Sequence, residues 1–544
     1  MNTRQLQTDK NQKLYHALLG ILLVCALAMM MLLSYWACKY SYYGAVDGRT
    51  RGVLVGDKTW AHIAVFLAAS LCAMGIDKVL MKKDKSQQEK ICLCTLIVTS
   101  VIAFILGVFY VCKNPYYPVG DQINTTAFAA YCRDGNFSML SIGGYVGMYQ
   151  QQKGLAILYE ILFTLFGDFN YRPAKILHVV WWILTILAGY GFLKLNTDRP
   201  VFRMLYCVMM LGCFPLLFYL PYIYGDVLSI SFGIILFYGV AAYEHSGQKR
   251  YIALASFAAG LAVLARKNTW IVLVAVTVYV LLVSLRKKKV RYLMAGTAIL
   301  LTAALSVKAV DVIYEVRSGY PSGVGIPSIL WVAMGLQETE GRAGVYNRYQ
   351  QATFTDYDCQ QELAAQQGKE YIRERLEEFS QDPGMAFNFF KNKVEGQWIE
   401  PMYAALESTE SFEEGAELSP VLESLYYGEL GRTIWKLTNY YQSILYLAGL
   451  MALVMLGILW WKKKEVPISL WLPWIAVFGG FLFSILWEAK SRYVFPYCVF
   501  MILYVPEGLY QTGLLLCKLP KLRKFKKSGH TQDKGEEASL RETA

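Results

Sequence analysis

The chain has 544 residues, of which 55% are hydrophobic and only 17% charged. Soluble globular proteins carry about 25% charged residues, so this deficit excludes a soluble enzyme, a disordered chain and a fibrous protein. The formal charge is +12, from 53 Lys and Arg against 41 Asp and Glu.

The acids are concentrated, with 19 acids against 7 bases between Glu338 and Leu430. The basic excess of the remaining chain sits in short loops between apolar runs. That pattern points to membrane orientation and not to nucleic acid. Most of the 12 Cys lie inside apolar runs, with no CxxC and no Cys/His cluster. Neither a disulfide framework nor a zinc site is expected.

A helix needs about 20 apolar residues to cross the hydrocarbon core. Twelve runs read as spans: 14–36, 60–80, 91–112, 173–193, 203–221, 226–243, 251–265, 270–285, 291–310, 436–460, 466–487 and 495–516. The first follows a basic N-terminus without a small-residue cleavage pattern, so it reads as a retained span. Basic clusters follow the even-numbered spans: Lys78 to Lys90, Lys194 to Arg203, Lys249 and Arg250, Arg286 to Arg291, Lys462 to Lys464, and Lys518 to Lys527. With twelve spans all of them fall on the cytoplasmic side, together with both termini. The expected fold is an all-α polytopic membrane protein with about 12 transmembrane helices and external amphipathic helices, located in the cell membrane.

Gly154–Gly167 is apolar but only 14 residues long, which suits a surface-lying or re-entrant helix and not a span. Two large external regions result, 113–172 and 311–435. The second is acidic and holds a helix-like stretch, Gln360–Ser380. The chain thus divides into a three-span segment (1–112), a membrane core with its external loop (113–310), the acidic external region (311–435), a second three-span segment (436–517) and a basic tail (518–544). The tail reads as disordered and suited to anionic lipid headgroups.

The polar residues of interest map to the external side. Tyr116–Gln122 reads YYPVGDQ, with Asp121 ahead of a helix-like segment, Asn124–Arg133. Asp121 is placed either to cap that helix or to act as an acid–base group. Gln150, Gln151, Gln152 and Lys153 precede the short apolar helix and suit a hydrogen-bonding rim for a polar substrate. Asp226, in YIYGDVLS, stands at an outer junction of spans, where an ionisable group is a functional candidate by default. Arg266 and Lys267, in ARKN, stand between two short spans and call for an anionic partner such as a lipid phosphate. In WEAKSRYVFP, Glu488 and Arg492 are spaced as a helical ion pair, with Lys490 and Tyr493 beside them. Lys175 and His178 stand at the outer start of the 173–193 span. Two acids, several cations and an amide rim on one face suit transfer from a lipid-linked phosphate donor. One acid would be the general base on an acceptor hydroxyl, and the cations would stabilise the phosphate leaving group.

From Tyr116 to Pro496 the pattern resembles the GT-C superfamily of membrane glycosyltransferases. The nearest groups look like the family 39 type, with the protein O-mannosyltransferases and aminoarabinose transferases and their bacterial cell-envelope relatives. The marks are Asp121 in the first large external loop, the ILFTLFG run, Asp226, the ARKN turn and the late Glu488, Arg492, Tyr493 and Pro496. The resemblance implies an undecaprenyl- or dolichyl-phosphate-linked monosaccharide as donor, inversion at the anomeric carbon and no nucleotide-sugar site. It makes Asp121 the base, 113–310 the catalytic core, and a glycan, lipid or protein the acceptor. Two carboxylates could hold a divalent cation, although many members of the group do without one.

Two other classes use polytopic bundles with buried charge. A flippase or transporter of a lipid-linked or polar solute usually shows internal repeats and charges at the midplane, and neither is seen in the sequence. A lipid-diphosphate-dependent polymerase or ligase leans on external Arg pairs and not on an external Asp base.

Overall fold

The computed structural model describes residues 3–43, 52–464 and 466–518. Most of them are helical. Among the described residues the only strand pairs are two small antiparallel hairpins, Tyr40–Tyr43 with Val53–Gly56 and Glu338–Thr339 with Arg342–Ala343. The basic tail lies outside the described residues, apart from Lys518.

Nine helices among the described residues are long and apolar enough to cross a membrane. Their apolar residues run all round, which is the signature of a helix that faces lipid as well as protein. On Lys85–Lys113, for example, Cys92, Ala103 and Tyr110 are buried, while Ile97, Phe104, Ile105 and Phe109 are exposed. A tenth span forms if Ser491–Met501 and Val505–Lys518 are taken together across a 59° bend.

Two of the twelve expected spans form helices shorter than those nine. The run at 203–221 is split into Pro200–Leu211 and a one-turn helix, Phe214–Phe218. The break falls where Cys213 leaves the helical region and Pro215 opens the next turn, since proline cannot continue a helix through its missing N–H. The run at 251–265 forms a 17-residue helix, Lys249–Ala265, about 26 Å long. It returns from Gly247, a left-handed helix cap, to the end of the bundle at which Asp226–Ser246 begins.

The 14-residue apolar run is the helix Lys153–Phe166, which is too short to span. Gly154 lets it lie against the other hairpin helix, because a Cβ there would meet the Leu264 carbonyl oxygen at 2.6 Å. The predicted external helices are also present, as Asp121–Arg133 and Gln361–Gln381.

Ion pairs mark one end of the bundle. Arg199 meets Asp77 at 3.1 Å, Arg203 and Lys194 meet Glu89, and Lys287 meets Glu244 at 2.8 Å. Ser469 joins them: its hydroxyl donates to Asn196 and its N–H to Glu244. The basic clusters at 78–90, 194–203 and 286–291 therefore share one end. Asp121, Asp226, Arg266 and Arg492 share the other.

Candidate functional site

At this second end the loops enclose a polar cavity of about 870 Å³, within the usual range of about 300–1,000 Å³ for small-molecule sites. Residues from 119–124, 145–152, 222–224, 265–268, 328–351, 404–408 and 487–493 line it.

Asp121 faces the cavity and is exposed. It is the first residue of its helix and not the cap. Gly120 holds the cap position with φ +59°, a conformation that favours glycine. The Asp121 carboxylate accepts a hydrogen bond from the Tyr145 hydroxyl at 2.9 Å. Burial first, and then the negative charge of Asp121, push the Tyr145 phenol well above its ordinary range. Tyr145 is therefore a permanent donor that orients the acid.

Asp226 occupies a different role from the one expected. It is 1% exposed, does not line the cavity, and is ion-paired with Arg266. The pair forms because Gly225 has no side chain. A Cβ there would overlap the Ala265 carbonyl oxygen. Removing one partner of such a buried pair costs about 3–5 kcal/mol. Asp226 thus holds Arg266 in place beside the rings of Tyr224 and Tyr493, whose centroids are 5.7 and 5.3 Å away.

Arg492 is the cation left over. It is 9% exposed and lines the cavity. No carboxylate among the described residues pairs with it. The rings of Tyr222, Tyr224 and Tyr493 surround it at 5.2–5.5 Å. Cation–π contact offsets part of the cost of desolvating a guanidinium. Lys267 is exposed at the same cavity, with no acid partner among the described residues.

The expected helical pair of Glu488 with Arg492 is not formed. The helix starts at Ser491, so Glu488 lies outside it and meets Lys490 at 3.0 Å. Burial opposes the Lys490 charge, and Glu488 more than offsets that, so the ammonium is held above its ordinary range. Tyr493 lines the cavity between Arg266 and Arg492.

The amide rim is half realised. Gln151 and Gln152 line the cavity, and Gln152 donates to the Tyr224 hydroxyl at 2.6 Å. Gln150 turns away: it accepts from Lys153 Nζ at 2.7 Å and from the Gly323 N–H. Lys153 is buried against Asp311, so both residues tie the loop to the 311–325 segment. Lys175 is also structural. It is buried and donates to the Tyr116 carbonyl at 2.8 Å, which fixes the strand of chain leading to Asp121. His178 bonds the Leu220 carbonyl at 2.9 Å and steadies the loop before Asp226.

Sequence reading missed the contribution of the acidic 311–435 region. Trp331, Tyr346, Arg348, Gln350, Gln351 and Glu407 all line the cavity. Behind Glu407, Glu400 is fully buried and accepts from the N–H groups of Met402 and Ala404 at 2.8 and 2.6 Å. Burial, and then the nearby Glu407 charge, raise its pKa to about 8. The tyrosine-dense stretches YLPYIYGD and GGYVGMY were the only sequence signal for the aromatic lining. Among the described residues no group of three or more His, Cys, Asp or Glu is gathered to hold a metal. Asp226, committed to Arg266, does not join Asp121 as a ligand pair.

The fold and the cavity define the class as a multi-pass, all-helical membrane protein with a polar site at one end of its bundle. No family model matches the sequence, and neither a curated protein nor a solved structure matches it.

Proposed function

We propose that the chain is a membrane glycosyltransferase that moves a monosaccharide from a polyprenyl-phosphate donor to an acceptor hydroxyl. The observation that carries this reading is Arg492, a cation held in a tyrosine cage without an acid, in one cavity with the exposed carboxylate of Asp121. A phosphate monoester or diester supplies the missing anion, and guanidinium binds it through two parallel hydrogen bonds.

In this mechanism Asp121 takes the proton from the acceptor hydroxyl. The acceptor oxygen then attacks the anomeric carbon, and the bond from that carbon to the phosphate oxygen breaks with inversion. Polyprenyl phosphate leaves, its new charge stabilised by Arg492, Lys267 and the anchored Arg266. A positioned base contributes about 10²–10⁴-fold, and each well-placed donor to developing charge about 10²–10³-fold. Asp226 is a positioning residue here, because it acts through Arg266.

The site is assigned to the outer face, with both termini cytoplasmic and the short helices Pro200–Leu211 and Lys249–Ala265 counted as crossings. The support is the basic end of the bundle, which the positive-inside rule assigns to the cytoplasm. The test uses purified protein in lipid, radiolabelled polyprenyl-phosphate sugars and an envelope acceptor fraction. Transfer by wild type that is lost in Asp121→Asn, with donor binding kept, supports the enzyme. Donor binding without transfer to any acceptor, unchanged by Asp121→Asn, moves the reading to a lipid-carrier transporter.

A further inference from the structure

The cavity has a second half that the phosphate chemistry does not use. A chain of aromatic rings runs from a membrane helix to the acid. Phe483 stacks on Trp487 at 4.9 Å, and Trp487 lies parallel to Trp331 at 5.9 Å with only 3° between the planes. Trp331 meets Tyr149 edge-on at 6.3 Å, and Tyr149 meets Tyr145 at 5.1 Å. Tyr145 holds Asp121. Trp331, Trp487 and Tyr149 are only partly buried and line the cavity.

Beside this wall stands Gln350. It is 1% exposed and lines the cavity, and its Oε1 is buried without a hydrogen-bond partner. Leaving a buried acceptor unmade costs about 1–3 kcal/mol, so the position calls for a donor. Phosphate has acceptor oxygens only and cannot supply one. A hydroxyl can. Gln351, partly buried next to it on the cavity wall, adds an amide that donates and accepts.

Flat aromatic faces with an unfilled acceptor at their edge match a ring that has apolar C–H faces and a rim of O–H groups. We propose that the Trp331–Tyr149 wall is the acceptor subsite and that the acceptor is a saccharide, stacked on Trp331 and donating a hydroxyl hydrogen bond to Gln350. This rests on the glycosyltransferase reading and adds the acceptor class. The volume agrees, because a cavity of about 870 Å³ has room for the donor sugar near Arg492 and a second ring beyond Asp121.

The experiment uses the full chain in lipid with short neutral oligosaccharides as probes, set beside a hydroxyl-bearing peptide and a diacylglycerol. Two signals are read: transfer kinetics with a polyprenyl-phosphate sugar, and calorimetric binding of the probe with no donor present. Expected is transfer to an oligosaccharide, with the acceptor KM raised at least tenfold in Trp331→Ala and largely recovered in Trp331→Phe. Gln351→Ala, on the cavity surface, gives a smaller rise. Donor affinity stays unchanged in all three. Transfer only to the peptide or the lipid, or an acceptor KM indifferent to Trp331→Ala, overturns the subsite. Calorimetric binding of oligosaccharide that depends on Trp331, with no transfer from any donor, keeps the subsite and sinks the glycosyltransferase reading instead. Absence of both binding and transfer overturns both.

Discussion

The two ends of the helical bundle carry the same kinds of charged residue in opposite arrangements. At the basic end the cations that lie between helices have acids: Arg199 has Asp77, Arg203 and Lys194 share Glu89, and Lys287 has Glu244, while Lys82, Lys83, Lys288 and Lys289 are exposed. Those pairs staple helix ends together. At the cavity end the acid Asp226 is spent on Arg266 and Glu488 on Lys490, while Arg492 faces three tyrosines. Charge number therefore does not distinguish the two ends. Among cations shielded from solvent, the presence or absence of an acid partner does: Arg203 has Glu89, and Arg492 has none among the described residues. A cation satisfied by protein has little left for a ligand, whereas one caged by rings keeps its hydrogen-bond donors free.

This contrast can be broken at several points. The largest expected effect is at Asp226. Asp226→Asn strands the buried Arg266, lowers stability by about 3–5 kcal/mol and weakens donor binding, both readable by thermal unfolding and donor titration in lipid. An unfolding midpoint equal to wild type would show that the pair contributes nothing. Asp121→Asn comes next: transfer falls by about 10²–10⁴-fold with stability and donor affinity unchanged. A fall in donor affinity of the same size as the fall in rate would contradict its assignment as base. Arg492→Gln lowers transfer by about 10²–10³-fold, and the protein does not lose stability, because no buried acid is orphaned. At the opposite end, Lys194→Gln breaks an exposed pair with Glu89 and costs no more than about 1 kcal/mol, with no change in kinetics. A kinetic defect there would erase the distinction between the ends.

The smallest effect is a pH dependence. The folded pKa of Glu400 is raised to about 8 by burial and the neighbouring Glu407, against about 4.3 for an unfolded glutamate. Between these values the unfolded chain has released the proton that the folded chain still holds. Stability therefore falls as pH rises from about 4.3 to about 8 and then levels. Unfolding midpoints across this window should decline less steeply in Glu400→Gln.

The membrane helices were legible because hydrocarbon thickness sets a length that apolar runs reveal directly. The break in the 203–221 run was not, since Cys213 and Pro215 interrupt it by local backbone geometry inside an apolar stretch. Cavity-lining residues were legible where a charge stands at the junction of an apolar run, as at Asp121, Arg266, Lys267 and Arg492. Spacing misled at Glu488, because a four-residue interval means a helical pair only if the helix already exists there. Lys175 and Gln150 were misassigned because a polar residue at a loop looks the same whether it meets ligand or backbone. Trp331 and Gln350 lie about 200 residues from Asp121 in sequence, and no local pattern reports that they meet it across a cavity.

Gly225, by allowing its loop to touch Ala265, has a consequence for how the chain is assembled. It closes the open mouth of the hairpin Asp226–Ser246 and Lys249–Ala265, whose other end turns at Gly247. An acid and a cation that enter the bilayer separately each carry an insertion cost of a few kcal/mol. Joined across the mouth of one hairpin, they enter as a neutral tip. The same glycine that seats Arg266 against Asp226 thereby makes this hairpin a self-neutralising unit of membrane insertion, and replacing it with alanine should show first as a defect in biogenesis, before any defect in turnover.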